Sequence, residues 1–454
     1  MDASSYRTEF RALIKLAGPL ALVYVGNMLL GAVDTAVVGR LGEVPLGAVG
    51  LGNGLFFTVT VLGTGLMLGI DPLISQAVGA KEPSTALHVY RQGLRIAAAL
   101  TLPLACLSWI SVLAIDLFGI DPAVSAETRG YIFARLFGLL PILLLIGMRS
   151  YLQAYDRTLP LIAGMVTANV VNLPLSWVLV FGDRGLEDLG LSAIGLPSMG
   201  AAGAGWTSAF CSLLQMLIAW QAVRRLARQH GAGPRTTDPQ VIRRAIGLGA
   251  PIALTLFAEV GSFSLVGILM ALHDPIVLAA HNVALTLASA TFQVPMAVGA
   301  AAAVRVGQAV GRKDTPGARV AGAISLATGG AFMLLASAAF LGFPRGLSRL
   351  VTDQNPVIEQ AVAFLMVAAA FQFVDGIQAV GAGALRGAGD TRFAFLSNVI
   401  GHYAIGLPLG AILCFATPMG PVGLWWGLNL GLGCVALALS VRFFRISRRT
   451  IARA

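Results

Sequence analysis

The sequence predicts an all-α integral membrane protein with twelve transmembrane helices. Of its 454 residues, 57% are hydrophobic and only 11% are charged, and the mean hydropathy is +0.81. A typical soluble domain carries about 25% charged residues, so the composition excludes a soluble globular protein. Twelve apolar stretches are long enough to cross a bilayer, which takes roughly 20 residues of helix each. The second half of the chain also repeats motifs of the first.

Basic residues are concentrated on one side of the predicted spans. With successive connections on opposite sides, 25 of the 31 Lys and Arg residues fall on the side that holds both termini. This bias predicts cytoplasmic termini in a multi-pass protein. The low Lys and high Ala, Gly and Arg content indicates a GC-rich bacterial genome, so the expected location is a bacterial inner membrane. The charge of +10 therefore reflects topology, and no nucleic-acid partner is expected. The predicted spans are residues 12–38, 44–72, 86–116, 130–150, 159–181, 199–223, 243–271, 275–300, 317–343, 357–384, 392–416 and 421–444.

The chain is predicted to contain two six-helix repeats. At an offset of 232 residues, Pro19 aligns with Pro251, and the Gln-Ala-Val-Gly stretch at 76–79 aligns with the same four residues at 308–311. Because each repeat has an even number of spans, both enter the membrane from the same side and are parallel. The predicted divisions are an N-terminal six-helix lobe at 1–225, a cytoplasmic linker at 226–242 and a C-terminal six-helix lobe at 243–454.

Two acidic residues lie within predicted spans that are otherwise apolar. Glu259 is near the middle of the stretch 251–270, and Asp375 lies within 361–384. A charged side chain at mid-bilayer costs about 2.5–3.5 kcal/mol on insertion scales. Both carboxylates are therefore expected to face a protein interior or a water-filled cavity, which makes them the strongest chemical signal in the sequence.

Polar side chains accompany both acids on the same helix faces. Thr255 and Ser262 lie four residues before and three residues after Glu259, on the same face of a helix. We interpret such polar residues as groups that line a cavity around the acids. Hydrogen bonding between helices, worth about 0.6–2 kcal/mol each, is the alternative interpretation. The predicted supporting groups of the second half are Thr255, His281, Asn282, Gln372 and Gln378.

The first half carries its own acid at a different position. Asn27 is the residue that matches Glu259 in the repeat, and Asp34 follows Asn27 by seven residues on the same helix face. Asn172 and Ser176 on the fifth predicted span are expected to share a pocket with Asp34. Further candidates for this pocket are Asn169, Thr207 and Ser208.

The sequence lacks the motifs of ATP-driven pumps and of intramembrane enzymes. None of its three lysines is followed by Ser or Thr, so no phosphate-binding loop ends in Gly-Lys-Ser or Gly-Lys-Thr. It has neither the His-x-x-x-His spacing of a metalloprotease helix nor a Gly-x-Ser-x-Gly turn. We therefore predict a protein that is not an enzyme and that needs no cofactor. Its energy is expected from an ion gradient, the membrane potential or a separate subunit.

Motifs of the second half resemble the multidrug and toxic compound extrusion (MATE) family. They are the stretch 381–391 (Gly-Ala-Gly-Ala-Leu-Arg-Gly-Ala-Gly-Asp-Thr), Pro-Met-Ala-Val-Gly at 295–299 with Val-Arg-Val-Gly-Gln at 304–308, and Ala-His-Asn-Val at 280–283. The positions of Glu259 and Asp375 resemble the NorM-like branch. The resemblance implies two six-helix lobes that form a V-shaped central cleft, and exchange of drugs for cations.

The resemblance also implies roles for individual acids. Carboxylates that match Glu259 and Asp375 bind the coupling Na⁺ or H⁺ in NorM-like members, and the acid that matches Asp34 contributes to coupling or to drug binding. In the DinF-like branch a further acid lies four residues after an Asn on the fifth span. Ser176 stands at that position here, four residues after Asn172, so a proton site confined to the first half is in doubt.

The predicted function is secondary active antiport of lipophilic or cationic drugs in exchange for Na⁺ or H⁺. Glu259 and Asp375 are the candidate Na⁺ ligands, with help from Thr255 and Asn282, and Asp34 is a further coupling residue. The expected partners are amphipathic cationic small molecules and the lipid bilayer, and the chain is expected to be a monomer. The alternatives are a lipid or lipid-linked oligosaccharide flippase, which would be expected to have a more cationic cavity, and a membrane receptor or scaffold.

Overall fold

The computed structural model describes residues 3–229 and 234–454, with side chains from Tyr6 onward. Every regular element in these ranges is helical, and twelve helices are long and apolar enough to cross a membrane. The prediction of an all-α protein with twelve spans is therefore confirmed. Residues 230–233 of the predicted linker lie outside the described residues.

The described part of the first half contains eight α-helices, one of which is only six residues long and one of which completes an interrupted span. The second predicted span is divided between α2 and α3, which are separated by a turn at Leu68 and Gly69. The helices are α1 (Ala3–Val38), α2 (Glu43–Met67), α3 (Ile70–Gly79), α4 (Pro83–Leu113), α5 (Pro122–Ala154), α6 (Leu159–Phe181), α7 (Asp183–Asp188) and α8 (Gly200–Gln229).

The second half follows the same order of spans, and its fifth span is interrupted by a π-helical segment at Ile400–Gly406. The helices are α9 (Pro239–Ala271), α10 (Pro275–Gly311), α11 (Thr315–Gly342), α12 (Pro344–Arg349), α13 (Asn355–Gly387), α14 (Thr391–Val399), α15 (Leu407–Phe415) and α16 (Val422–Ile446).

Four of the spans begin at an aspartate that caps the helix. The side chains of Asp121, Asp238, Asp274 and Asp314 accept backbone N–H groups two or three residues later, at 2.7–3.2 Å. Each aspartate is followed by Pro within the first two helical residues. The acid satisfies an amide that has no partner inside the helix, and Pro has no N–H to satisfy, so the sequence fixes these starts locally.

An acid also organises the connection between α6 and α8. The carboxylate of Asp183 accepts the backbone N–H groups of Leu196, Ile194 and Gly195 at 2.9–3.0 Å. These hydrogen bonds to the charged form hold the pKa of Asp183 below its usual range. The connection is therefore tied back to the start of α7.

The helices divide into two compact units. One consists of Met1–Ala21, Asp71–Glu82 and Gly247–Ala454, and the other of Leu22–Ile70 and Pro83–Ile246. The first unit thus combines the second-half helices with the start of α1 and most of α3. The lobe boundaries that the repeat suggests, at 225 and 243, stay a prediction.

The repeated Gln-Ala-Val-Gly motif explains why α3 belongs with the second-half helices. A Cβ atom on Gly79 would overlap the backbone carbonyl of Gln308, and a Cβ atom on Gly311 would overlap that of Gln76. The two copies of the motif therefore pack against each other reciprocally, each glycine against the glutamine of the other copy. Only glycine permits backbones to approach this closely.

Polar contacts flank this crossing within the same unit. The guanidinium of Arg305 donates to both carboxylate oxygens of Glu9, at 2.8 and 2.6 Å. The side-chain amide of Gln76 donates to the carbonyl of Gly387 at 3.1 Å. These contacts join α1 and α3 to α10 and α13 at the ends that carry the repeated motif.

In the other unit, α4 holds the end of the predicted linker. Arg91 donates to the carbonyl of Pro234 at 3.0 Å, and Gln92 and Arg95 both donate to the carbonyl of Thr236, at 2.9 and 2.7 Å. The residues immediately before α9 are therefore bound to the start of the third span.

Candidate functional site

Glu259 is held by two amide side chains from other helices. Its Oε1 atom accepts a hydrogen bond from Gln378 on α13 at 2.5 Å and another from Asn398 on α14 at 2.6 Å. Side chains from α13 and α14 thus meet at the carboxylate that α9 contributes, although the three helices are distant in sequence. Both donors are neutral, so they orient the carboxylate without cancelling its charge.

Asp375 lies three residues before Gln378 on the same face of α13, the face whose Gln378 donates to Glu259. The two carboxylates interact electrostatically with each other, and Asp375 is 9% exposed. Within residues 3–229 and 234–454, neither carboxylate lies within ion-pair distance of a Lys, Arg or His side chain. Two adjacent carboxylates that lack a basic partner repel each other, and a bound cation or proton relieves that repulsion.

The π-helical segment fixes the span that contributes Asn398. Tyr403 donates its hydroxyl to the carbonyl of Ala258 at 2.9 Å, and His402 Nδ1 lies 3.3 Å from the hydroxyl of Ser262. Both contacts join the segment to α9 within one turn of Glu259. π-helical turns occur frequently at functional sites, because the added residue redirects the side chains around it.

The other predicted supporting groups of the second half have different partners. Thr255 donates to the carbonyl of Pro251 in its own helix, and Gln372 donates to the hydroxyl of Thr291 on α10. His281 is buried against the ring of Trp425, with ring centroids 5.6 Å apart. Asn282 is exposed. No hydrogen bond among the described residues joins these four side chains to Glu259 or Asp375.

Asp34 forms a separate cluster in the unit that contains Leu22–Ile70. It is 3% exposed, and its two carboxylate oxygens accept hydrogen bonds from Asn172 on α6 at 2.9 Å and from Ser208 on α8 at 2.5 Å. Ser176 is also fully buried, one turn after Asn172. The structure therefore brings Asn172, Ser176 and Ser208 to Asp34, as predicted. Two other candidates bind elsewhere, because Asn169 donates to the carbonyl of Gly26 and Thr207 donates to a carbonyl of its own helix.

Two further buried oxygens belong to this cluster. The side-chain carbonyl oxygen of Asn172 is enclosed without a hydrogen-bond partner among the described residues, and the hydroxyl of Ser176 interacts with the carboxylate of Asp34. Buried oxygens of this kind normally pair with a donor, with water or with an ion. Together with the carboxylate of Asp34 they form an all-oxygen set, which is the ligand type that hard cations prefer. Asn27, on the same helix as Asp34, is exposed.

Sequence reasoning did not identify three groups that the structure emphasises. Asn398 was not recognised as the partner of Glu259, nor Thr291 as the partner of Gln372. The third is Arg135, which lies within the fourth span on α5 and in the same unit as Asp34. A charge in an apolar span was the available signal for Arg135, the same signal that identified Glu259.

Comparison with known proteins gives consistent results along the whole chain. The MatE family model matches residues 19–178 and 251–412, one match in each half. A probable multidrug resistance protein NorM of Deinococcus radiodurans is 34% identical over 449 residues, which cover 98% of this chain and 97% of the relative. The multidrug resistance protein NorM of Vibrio cholerae is 30% identical over 454 residues, with 98% and 97% coverage.

Solved structures share the fold at lower sequence identity. The eukaryotic MATE transporter AtDTX14 superimposes with a TM-score of 0.86 at 21% identity, and the match covers 98% of each chain. The Vibrio cholerae MATE transporter VcmN in its bent form gives a TM-score of 0.83 at 20% identity, again over 98% of each chain. These similarities extend over every span and establish the architecture.

Proposed function

The chain belongs to the MatE family, the multidrug and toxic compound extrusion transporters, and we propose that it exports lipophilic cations in exchange for Na⁺ or H⁺. It is a membrane transporter for multidrug efflux and is not an enzyme. The coupling ion, its binding residues and the cationic character of the substrates are the proposed parts.

The observation that carries the proposal is the pair Glu259 and Asp375, because within the described residues Glu259 accepts hydrogen bonds from neutral amides and neither acid pairs with a basic side chain. A Na⁺ ion or a proton at this pair relieves the repulsion between the carboxylates and the cost of their burial. A cationic substrate relieves the same cost, so ion and substrate compete for one state of the protein. Transport results if the two conformations differ in their affinity for the ion, because a ligand shifts an equilibrium only by its differential affinity.

Asp34 is proposed as a second coupling group. Its carboxylate, the side-chain carbonyl oxygen of Asn172 and the hydroxyl oxygen of Ser176 provide ligands for a Na⁺ ion. The hydroxyl of Ser208 holds the carboxylate of Asp34 in position by donating to its second oxygen at 2.5 Å.

The remaining features of the proposal concern the cell. We expect a monomer in a bacterial inner membrane, with both termini in the cytoplasm, because the basic residues are concentrated on that side. Amphipathic cations are the expected substrates, since the intramembrane charges of the coupling sites are negative. No cofactor other than the coupling ion is proposed.

The test is efflux of ethidium from proteoliposomes in which either a Na⁺ gradient or a pH gradient is imposed alone. Glu259→Gln and Asp375→Asn should each abolish ion-driven efflux while the protein still inserts and elutes as a single species. Glu359→Gln is the matched control, because Glu359 is exposed and pairs with Arg345 at the surface. Efflux at the wild-type rate from either site variant would contradict the assignment of the coupling site.

A further inference from the structure

Arg135 is a basic residue in a membrane span of the unit that contains Asp34. It lies thirteen residues after the start of α5, which is about 20 Å along a helix about 50 Å long. A hydrocarbon core of about 30 Å centred on this helix would include it. Charged residues at such positions are costly and normally mark a functional site or pair with a neighbour.

Arg135 has aromatic neighbours instead of an acidic partner. Its guanidinium carbon lies 4.5 Å from the ring centroid of Phe56 and 5.8 Å from that of Tyr131, and both rings are fully buried. Within the described part of the chain, no carboxylate is within ion-pair distance of Arg135, and its Nε atom is enclosed without a hydrogen-bond partner. The rings hold the guanidinium in place but accept none of its N–H groups in the plane.

The nearest functional acid is Asp34, which interacts with Arg135 electrostatically without touching it. Its two oxygens are already occupied by Asn172 and Ser208. Close packing fixes the separation, because a Cβ atom on Gly138, one turn after Arg135, would lie only 3.0 Å from the Cα atom of Ala209. A positive and a negative group are therefore held apart within one unit, and the guanidinium of Arg135 keeps N–H donors for a further ligand.

We propose that Arg135 is a specificity-determining residue that binds the carboxylate of zwitterionic amphipathic substrates. The planar guanidinium presents paired N–H donors, which match a carboxylate in a bidentate arrangement. Arg135 is only partly buried, so its terminal nitrogens remain accessible to a ligand. The proposal rests on the proposed transport function and assigns one residue the discrimination between zwitterionic and purely cationic substrates.

A second arginine on α5 shows what a purely structural arginine over an aromatic ring would look like. Arg149 also lies over a ring, with its guanidinium carbon 5.4 Å from the centroid of Tyr24. It is only five residues from the end of α5 and has no electrostatic interaction with Asp34 among those described. If ring stacking were the whole function of Arg135, the two arginines would respond alike to substitution.

The experiment uses rhodamine B, a zwitterion with a carboxylate, and its ethyl ester, a cation of nearly the same shape. Equilibrium binding of both dyes to the purified full-length protein is measured by fluorescence anisotropy, without any ion gradient. In Arg135→Gln, rhodamine B should bind about 10-fold to 100-fold more weakly, because a charge-assisted hydrogen-bonded pair is lost, while binding of the ester is unchanged. Arg149→Gln should bind both dyes as the wild type does.

Arg135→Lys distinguishes loss of recognition from loss of folding. It keeps the positive charge but not the planar fork, so the affinity for rhodamine B should fall between those of the wild type and Arg135→Gln. An equal loss for both dyes, an unchanged affinity for rhodamine B, or the same selectivity change in Arg149→Gln would overturn the proposal. Selective dye binding without ion-driven ethidium efflux would instead refute the proposed function and leave this inference standing.

Discussion

The reciprocal crossing of the repeated Gln-Ala-Val-Gly motif predicts that Gly79→Ala destabilises the protein. A Cβ atom at residue 79 would lie 2.7 Å from both Cα and the carbonyl carbon of Gln308, whereas carbon atoms in contact are normally about 3.5–4.0 Å apart. The atoms in the way are backbone, so α3 and α10 must separate by about 1 Å. Such overpacking typically costs about 1–3 kcal/mol. Gly311→Ala should cost a similar amount, because its Cβ would lie 2.8 Å from the carbonyl carbon of Gln76.

The two substitutions Gly79→Ala and Gly311→Ala should also not be additive in their effects on stability. One separation of the helices makes room for both methyl groups, so the double variant should lose less stability than the sum of the single variants. Gly47→Ala in α2 is the matched control, because its added Cβ meets nothing within 4 Å. There the substitution should be neutral or stabilising by up to about 1 kcal/mol, since alanine favours a helix over glycine.

The assay is the loss of monodisperse protein on heating in detergent, followed by size-exclusion chromatography. Gly79→Ala and Gly311→Ala should lose it at lower temperature than the wild type, and Gly47→Ala should not. Equal behaviour of all three variants, or strict additivity in the double variant, would refute the argument from the crossing.

Three further predictions concern single contacts. Asn398→Leu removes a hydrogen bond to the charged Glu259, worth about 1.5–3 kcal/mol, so ion-driven efflux from proteoliposomes should fall by roughly 10-fold to 100-fold with insertion intact. Glu9→Gln should destabilise the protein by about 1–3 kcal/mol in thermal denaturation, and exchanging the charges of Glu9 and Arg305 should recover part of that loss. Because the folded-state pKa of Asp183 is lowered, its stabilisation of the following connection is complete above the unfolded pKa of about 3.9 and is lost as pH falls through the folded value. Acid should therefore lower the protection of the backbone amides of that connection, measured as the hydrogen-exchange rate relative to the intrinsic rate at the same pH, but not in Asp183→Asn.

The fold and the acidic residues could be predicted because they depend on properties that the sequence states directly. Span number follows from apolar length, and the twelve spans agree with the structure. Glu259 and Asp375 were identified because a charged side chain within an apolar span is energetically costly and therefore indicates a functional site. The same argument applies to Arg135, which lies inside the predicted span 130–150 and was not singled out there.

Asn172 and Ser208 were expected beside Asp34, but Asn398 could not be predicted as the partner of Glu259, because that contact depends on how helices rotate about their axes. Asn398 is 139 residues from Glu259, and its side chain reaches the carboxylate from a helix that becomes π-helical two residues later. Asn27 and Asn282 are polar residues on spans that carry site residues, yet both are exposed. Spacing along one helix identifies a shared face, but only packing determines what that face meets.

The two acidic sites occupy positions that are not equivalent in the repeat. At the offset of 232 residues, Glu259 matches Asn27 and Asp34 matches Val266. Val266 is 1% exposed within an apolar cluster, where a carboxylate would lack any polar partner. Seven residues correspond to about 10 Å of helix, so the duplicated framework carries its acids at different depths. An ion at one site therefore meets different neighbours from an ion at the other, and substitutions at Glu259 and Asp34 should not compensate for each other.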